Sequence, residues 1–134
     1  MFQGYVRRIV MIFASLFGAS TASAAVEHTK DSIETVKTNL KEKKAVILDV
    51  RENDEWEAGH LKNAAHYPLS KMQNGISAEE LAKIAPHKEI IYVHCASGFR
   101  CLKAARLMSE KGYDVRALQS GYKDLSQAGF PTAK

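Results

Sequence analysis

No apolar run in this chain reaches membrane-spanning length. A spanning helix needs about 20 apolar residues, whereas Ile9 to Ala19 is an apolar run of eleven, broken by Ser15 and Gly18. Strong charge of either sign is also absent. The formal net charge is +4, and it falls to +2 once Arg7 and Arg8 are set aside, which is too mild to suggest a nucleic-acid partner. No internal repeat, low-complexity tract or Pro/Gly-rich linker interrupts residues 25–134, so that span reads as one domain with its own core. Cysteine is scarce too: there are two, Cys95 and Cys101, and both fall in one tight turn.

The first residues carry an address. Met1 to Arg8 holds two arginines and no acid, the eleven-residue apolar run follows, and Ala22-Ser23-Ala24 has the small-x-small spacing of a cleavage site. That pattern predicts a secretory signal peptide over residues 1–24, cut after Ala24, with Ala25 as the alternative. No cysteine follows the small residues, so there is no thiol to lipidate and no stable membrane anchor is expected. The mature product is expected to be free and exported, periplasmic or secreted.

Hydrophobic periodicity then alternates between two types of element. Ile33, Val36 and Leu40 recur at helical spacing, and Ala45 to Val50 is a short apolar run of strand length. Residues 53–60 predict a brief helical turn ended by Gly59, and residues 64–69 a second strand stopped by Pro68. Residues 77–86 predict a helix with Ser77 as N-cap and Pro86 beyond its end. Residues 89–94 read as a third strand. Residues 101–112 read as a helix with Leu102, Ala105 and Met108 facing inward and Gly112 at C′. Residues 114–118 and 122–129 close the chain as strand and helix. Such alternation implies an α/β fold whose central, mostly parallel sheet has helices on both faces.

Sites in open parallel sheets collect at the carboxyl ends of strands, where this chain places Asp49-Val50-Arg51 and His94-Cys95. A thiol becomes a good nucleophile when its pKa is lowered, and a helix N-terminus and a nearby arginine both favour thiolate. Cys95 has both. Small Ala96, Ser97 and Gly98 let the backbone curl so that successive N–H groups point inward as an anion-binding nest. Such a cradle favours a charged sulfur or a charged leaving group.

Three segments, in order, resemble the rhodaneses, in particular the single-domain sulfurtransferases of bacterial periplasms. They are LDVRENDEWEAGHLKNAAHYPL, CASGFRCLKAARLMSEKGY and LQSGYKDLSQAGFP, and together they cover most of residues 25–134. The resemblance implies the rhodanese-like fold and transfer of sulfane sulfur from a donor such as thiosulfate to a thiol or cyanide acceptor. By that resemblance Cys95 is the nucleophile and persulfide carrier. The amides of Ala96, Ser97, Gly98, Phe99 and Arg100 hold the persulfide, and the Arg100 side chain meets the small sulfur-containing anion. No metal or organic cofactor is implied. Position 101 departs from the pattern, since the family more often has serine or another small residue there.

Other readings compete at several positions. Arg51 could supply charge to the substrate or pair with an acid, and Asp49 is expected to fix loop geometry by hydrogen bonds. His94 is expected buried and hydrogen-bonded, because adjacent strand residues point to opposite faces. His60 and His66 lack ligand-spaced partners, and Trp56, Tyr67 and Phe130 are expected to pack. Cys101, at the first helical turn, is expected to have its pKa lowered by the dipole and is a candidate redox partner of Cys95. The resting loop is nonetheless expected to keep both thiols free, with reversible closure as the alternative. Two rival functions remain. A non-catalytic sulfur-binding or interaction module could use the same fold. A cysteine phosphatase or arsenate reductase would resemble His-Cys-x5-Arg, but only Ala96 to Phe99 separate Cys95 from Arg100, so the loop encloses less space.

Overall fold

The computed structural model describes residues 26–134. The expected signal peptide and its cleavage site lie outside these residues. In chain order the elements are α1 (Ile33–Lys41), β1 (Ala45–Asp49), α2 (Asn53–Ala58), β2 (His60–Leu61), β3 (Ala65–His66) and α3 (Leu69–Gln73). They continue with α4 (Ala78–Ile84), β4 (Ile90–His94), α5 (Arg100–Ser109), β5 (Val115–Ala117), α6 (Tyr122–Gln127) and β6 (Thr132–Ala133).

Four strands form a parallel sheet in the order β3-β1-β4-β5. The two central strands are apolar on both faces, as a sheet covered by helices requires. Leu48, Val50, Ile91 and Val93 pack against Leu69 and Met72 of α3, Leu81 of α4, and Ala104, Ala105 and Met108 of α5. The alternate residues Ala45, Ile47 and Tyr92 pack with Val36 of α1 and Leu125 of α6. Ile33 and Leu40 join that second cluster at its edge, while Leu102 edges the first. Helix starts follow their caps: Ser32 accepts the Thr35 N–H at 3.1 Å and Ser77 the Glu80 N–H at 3.3 Å.

Several boundaries differ from the sequence reading. The second strand is ordered as ladder only at Ala65–His66, because Pro68 opens α3 directly; this helix was not expected. Helix α5 ends at Ser109 with Glu110 as its cap, so Lys111 is C′ and Gly112, expected there, sits one residue further on. Gly112 still has φ +86°, which favours glycine. A small second sheet was also unforeseen. It pairs His60 with Ala133 and Leu61 with Thr132 in antiparallel register, and so ties the chain end to the turn after α2. Among the described residues no helix is long and apolar enough to cross a membrane.

Candidate active site

Cys95 follows the last residue of β4, the central strand hydrogen-bonded to β1 and β5. Its side chain continues the alternation of Ile91 and Val93 into the α3–α5 cluster, and it is fully buried. The chain then turns through Ala96, Ser97, Gly98 and Phe99 into α5. The turn wraps the sulfur: the Gly98 N–H donates to Cys95 Sγ at 3.2 Å. Together with the Cys101 S–H and the amides of Cys101 and Ser97, this brings the Cys95 thiol down to about 5. The Cys101 S–H is the largest of these influences, and burial opposes them all. Cys95 is therefore a thiolate at neutral pH, and a thiolate is the reactive form.

Two glycines make the turn geometrically feasible. Gly98 has φ +89°, and a Cβ there would lie 2.7 Å from the Gln119 carbonyl oxygen. Gly121 begins the turn into α6, and a Cβ there would lie only 1.8 Å from the Ala96 carbonyl oxygen. Any side chain at position 121 would drive the two loops apart. They are also tied directly, since the Tyr122 N–H donates to the Cys95 carbonyl at 2.8 Å. A further clamp comes from the described N-terminus. His28 bridges to Ala117 on β5, and its Nε2–H donates to the Gly98 carbonyl at 2.5 Å. Nothing in the sequence signals this contact, which joins residues 70 apart.

Cys101 differs from its expectation. It lies in the first turn of α5, fully buried, and its single S–H has three competing acceptors, the Cys95 sulfur, the Gly98 carbonyl at 3.2 Å and the Leu118 carbonyl at 3.3 Å. Its pKa is raised and not lowered, first because its S–H bonds the Cys95 sulfur and second because it is buried. The charge of the neighbouring thiolate adds to this and outweighs the helix dipole. Cys101 is thus a protonated donor beside an ionised acceptor, and both cysteines are free.

Of the two arginines, Arg100 departs from the sequence reading and Arg51 follows one of its two alternatives, pairing with an acid. Arg100, expected to meet the anion, makes a bidentate pair with Glu55 of α2, Nη1 to Oε1 at 2.5 Å and Nη2 to Oε2 at 2.8 Å. Glu55 Oε1 also accepts the Glu52 N–H at 3.2 Å, half of a capping box that starts α2. The Arg100 guanidinium holds the Glu55 carboxyl down to about 2. Arg51 acts as a strut. Its side chain is buried, its Nε and Nη2 grip both Asp49 oxygens at 2.8–3.1 Å, and Nη2 also reaches the Gly59 carbonyl at 2.7 Å. The guanidinium lies 4.2 Å from the Tyr122 ring centroid. Through Nε and Nη2 the Arg51 fork holds the ends of β1 and α2 together.

His94 is buried, as adjacent-residue alternation predicts, but the expected hydrogen bond is missing. Among the described residues neither ring nitrogen has a hydrogen-bond partner, and Asp49 Oδ2 stands 3.8 Å from Nε2, beyond hydrogen-bond length. Burial lowers the His94 pKa, with Asp49 pulling it back. The imidazole sits on the sheet face opposite Cys95 and cannot act as its base. His60 and His66 both stack on Trp56, with ring centroids 3.6 Å and 4.5 Å away. Their Nδ1–H and Nε2–H donate to the carbonyls of Trp56 and Arg51. The loop thus presents exposed Ala96, Ser97 and Phe99 over a buried thiolate; Phe99 is 72% exposed.

Comparison with known proteins agrees with this geometry. Residues 32–128 match the family described as Rhodanese-like domain. A crystal structure of a rhodanese-related protein from Thermoplasma volcanium is 25% identical, aligns over 75% of this chain and 92% of that one, and superposes with a TM-score of 0.59. A rhodanese with anions from E. coli is 26% identical over 67% of this chain and 98% of that one, at a TM-score of 0.54. A tRNA uridine(34) hydroxylase from Chlamydia trachomatis is 35% identical over 85 residues, 61% of this chain. The chain spans only about a quarter, 26%, of that relative's length.

Proposed function

Because the chain belongs to the rhodanese-like domain family, we propose that it is a sulfurtransferase that carries sulfane sulfur as a persulfide on Cys95. The observation that carries this reading is the wrapped, ionised cysteine: Cys95 is buried, receives the Gly98 N–H at 3.2 Å and has a pKa of about 5. In the first half-reaction the thiolate attacks the outer sulfur of a sulfane donor such as thiosulfate. A Cys95–sulfur bond forms, the donor's sulfur–sulfur bond breaks, and its electron pair leaves with sulfite. In the second, a thiol or cyanide attacks that outer sulfur, and the electron pair of the broken bond returns to Cys95 as thiolate. This is a two-step displacement through a covalent enzyme intermediate.

The loop's donors suit both states. Amides aimed at a thiolate also stabilise a persulfide anion one atom further out, because they are fixed before the reaction. Since Cys95 is fully buried, exchange of sulfur proceeds with movement of the exposed Ala96-Ser97 segment. Four residues between Cys95 and Arg100, and an Arg100 already bound by Glu55, disfavour phosphoryl or arsenate chemistry, which requires a wide loop with a free arginine. The retained nucleophile disfavours a purely non-catalytic module. The relatives named as hydroxylases share only this domain-sized segment with the chain.

In this reading the partners are a small sulfur-containing anion and a thiol or cyanide, and the mature protein, residues 25–134, works outside the cytoplasm. The test is cyanide-dependent thiocyanate formation from thiosulfate by fully reduced protein. Turnover lost in Cys95→Ser is expected, and no turnover by the parent protein with thiosulfate or with a singly charged sulfane donor refutes the reading. Terminal sequencing of protein recovered from the periplasmic fraction checks export, with Ala25 or Val26 expected as the first residue.

A further inference from the structure

The charges around the loop sum in an unexpected way. Arg100, the loop's own cation, is matched by Glu55 through two hydrogen bonds, and Arg51 is matched by Asp49. The thiolate of Cys95 is then left without a free counter-charge among these groups. From these groups an incoming donor meets one unmatched negative charge, that of the thiolate, and each further negative charge on the donor opposes approach.

We infer that Glu55 sets the donor specificity of this site, disfavouring doubly charged thiosulfate and favouring singly charged sulfane donors such as organic thiosulfonates. This rests on the sulfurtransferase reading and deepens it. With a thiosulfonate the Cys95 thiolate forms a bond to the outer sulfur, the bond between that sulfur and the sulfonyl sulfur breaks, and the electron pair departs on a sulfinate. The product is the same Cys95 persulfide. Only the charge of the donor and its leaving group differs.

Glu55 is well placed for such a role because its capping contact does not depend on its charge. Its Oε1 closes the capping box with the Glu52 N–H, and glutamine serves that position as well as glutamate. Glu55→Gln therefore preserves the start of α2 and one acceptor for Arg100, while releasing the guanidinium's positive charge to the loop. Trp56, the only tryptophan in the chain, adjoins Glu55 and supplies a fluorescence signal.

The experiment compares thiosulfate with methanethiosulfonate, which replaces one charged oxygen by a methyl group, as donors to cyanide. For Glu55→Gln the account expects kcat/KM for doubly charged thiosulfate to rise on the order of tenfold and that for singly charged methanethiosulfonate, with half the charge, to rise only about threefold. Adding Arg100→Gln is expected to abolish the gain. Equal changes for the two donors, or loss with both, overturn the inference and make Glu55 a purely structural partner of Arg100. A second arm needs no turnover: thiosulfate binding to Cys95→Ser protein, followed by Trp56 fluorescence, is expected to tighten when Glu55→Gln is added. Unchanged binding overturns the inference. Absence of transfer by the parent protein with either donor refutes the sulfurtransferase reading instead, and the binding arm still decides the role of Glu55.

Discussion

The Gly98 amide donates to the sulfur of Cys95 across 3.2 Å, and this bond depends on a backbone conformation with φ +89° that only glycine adopts readily. Gly98→Ala would place its Cβ 2.7 Å from the Gln119 carbonyl oxygen, forcing the turn outward and withdrawing the N–H. Sulfur transfer is expected to fall on the order of 10²-fold, the usual effect of losing one preorganised donor. Steady-state kinetics, with a circular dichroism check that the fold persists, measures it.

Formation of the nucleophile is expected to follow a thiolate titration centred near pH 5. Donor attack, measured in single turnovers, is then flat above pH 6 to 7 and declines as pH falls through about 5. Cys101→Ala removes the S–H that contributes most to this depression. Its midpoint is expected to move upward, read by ultraviolet thiolate absorbance. An unmoved midpoint would mean that the loop amides alone set the pKa. Cys101→Ser, which keeps a donor, is expected to stay close to the parent.

Asp49 accepts from Arg51 through the backbone N–H, Nε and Nη2. Asp49→Ala leaves a buried guanidinium without its carboxylate, which is expected to destabilise the fold by about 3–5 kcal/mol. Urea unfolding provides the measurement. A cost below about 1 kcal/mol, the range of exposed pairs, would contradict the strut assigned to Arg51.

His94 carries a pH dependence whose sign follows from its burial. The folded pKa lies below the ordinary value of 6.5, so between the two the unfolded chain binds more protons than the folded one. Stability is therefore present above pH 6.5 and is lost as pH falls below it. Cys95 adds a slope of the same sign, common to parent and variant. His94→Gln is expected to flatten the acid-side decline in urea-derived stability, whereas an unchanged slope would show that His94 is not a buried neutral group.

The elements that were legible in the sequence are those with strong patterns. The apolar runs of β1 and β4 have strand length, and α1 and α4 carry side-chain caps at Ser32 and Ser77. The Cys95 turn was legible because nucleophile, small residues and helix start are contiguous. What escaped depends on partners far apart in the chain. Glu55 and Arg100 are 45 residues apart, and β2 finds β6 only through tertiary packing, with two residues in each strand. The Cys101 pKa was misread for a different reason. The helix dipole acts on it, but the thiolate beside it acts more strongly, and the sequence does not give the orientation of the two sulfurs. His94 shows the same limit: alternation fixes which face it occupies but not whether a partner waits there.

The central claim is that Cys95 holds sulfur covalently, and intact mass spectrometry of reduced protein after incubation with a sulfane donor tests it most directly. The account predicts a gain of one sulfur atom, located on the peptide containing Cys95, removed by cyanide with release of thiocyanate and absent in Cys95→Ser. An unchanged mass with both thiosulfate and methanethiosulfonate, or an added sulfur that persists in Cys95→Ser, would contradict it.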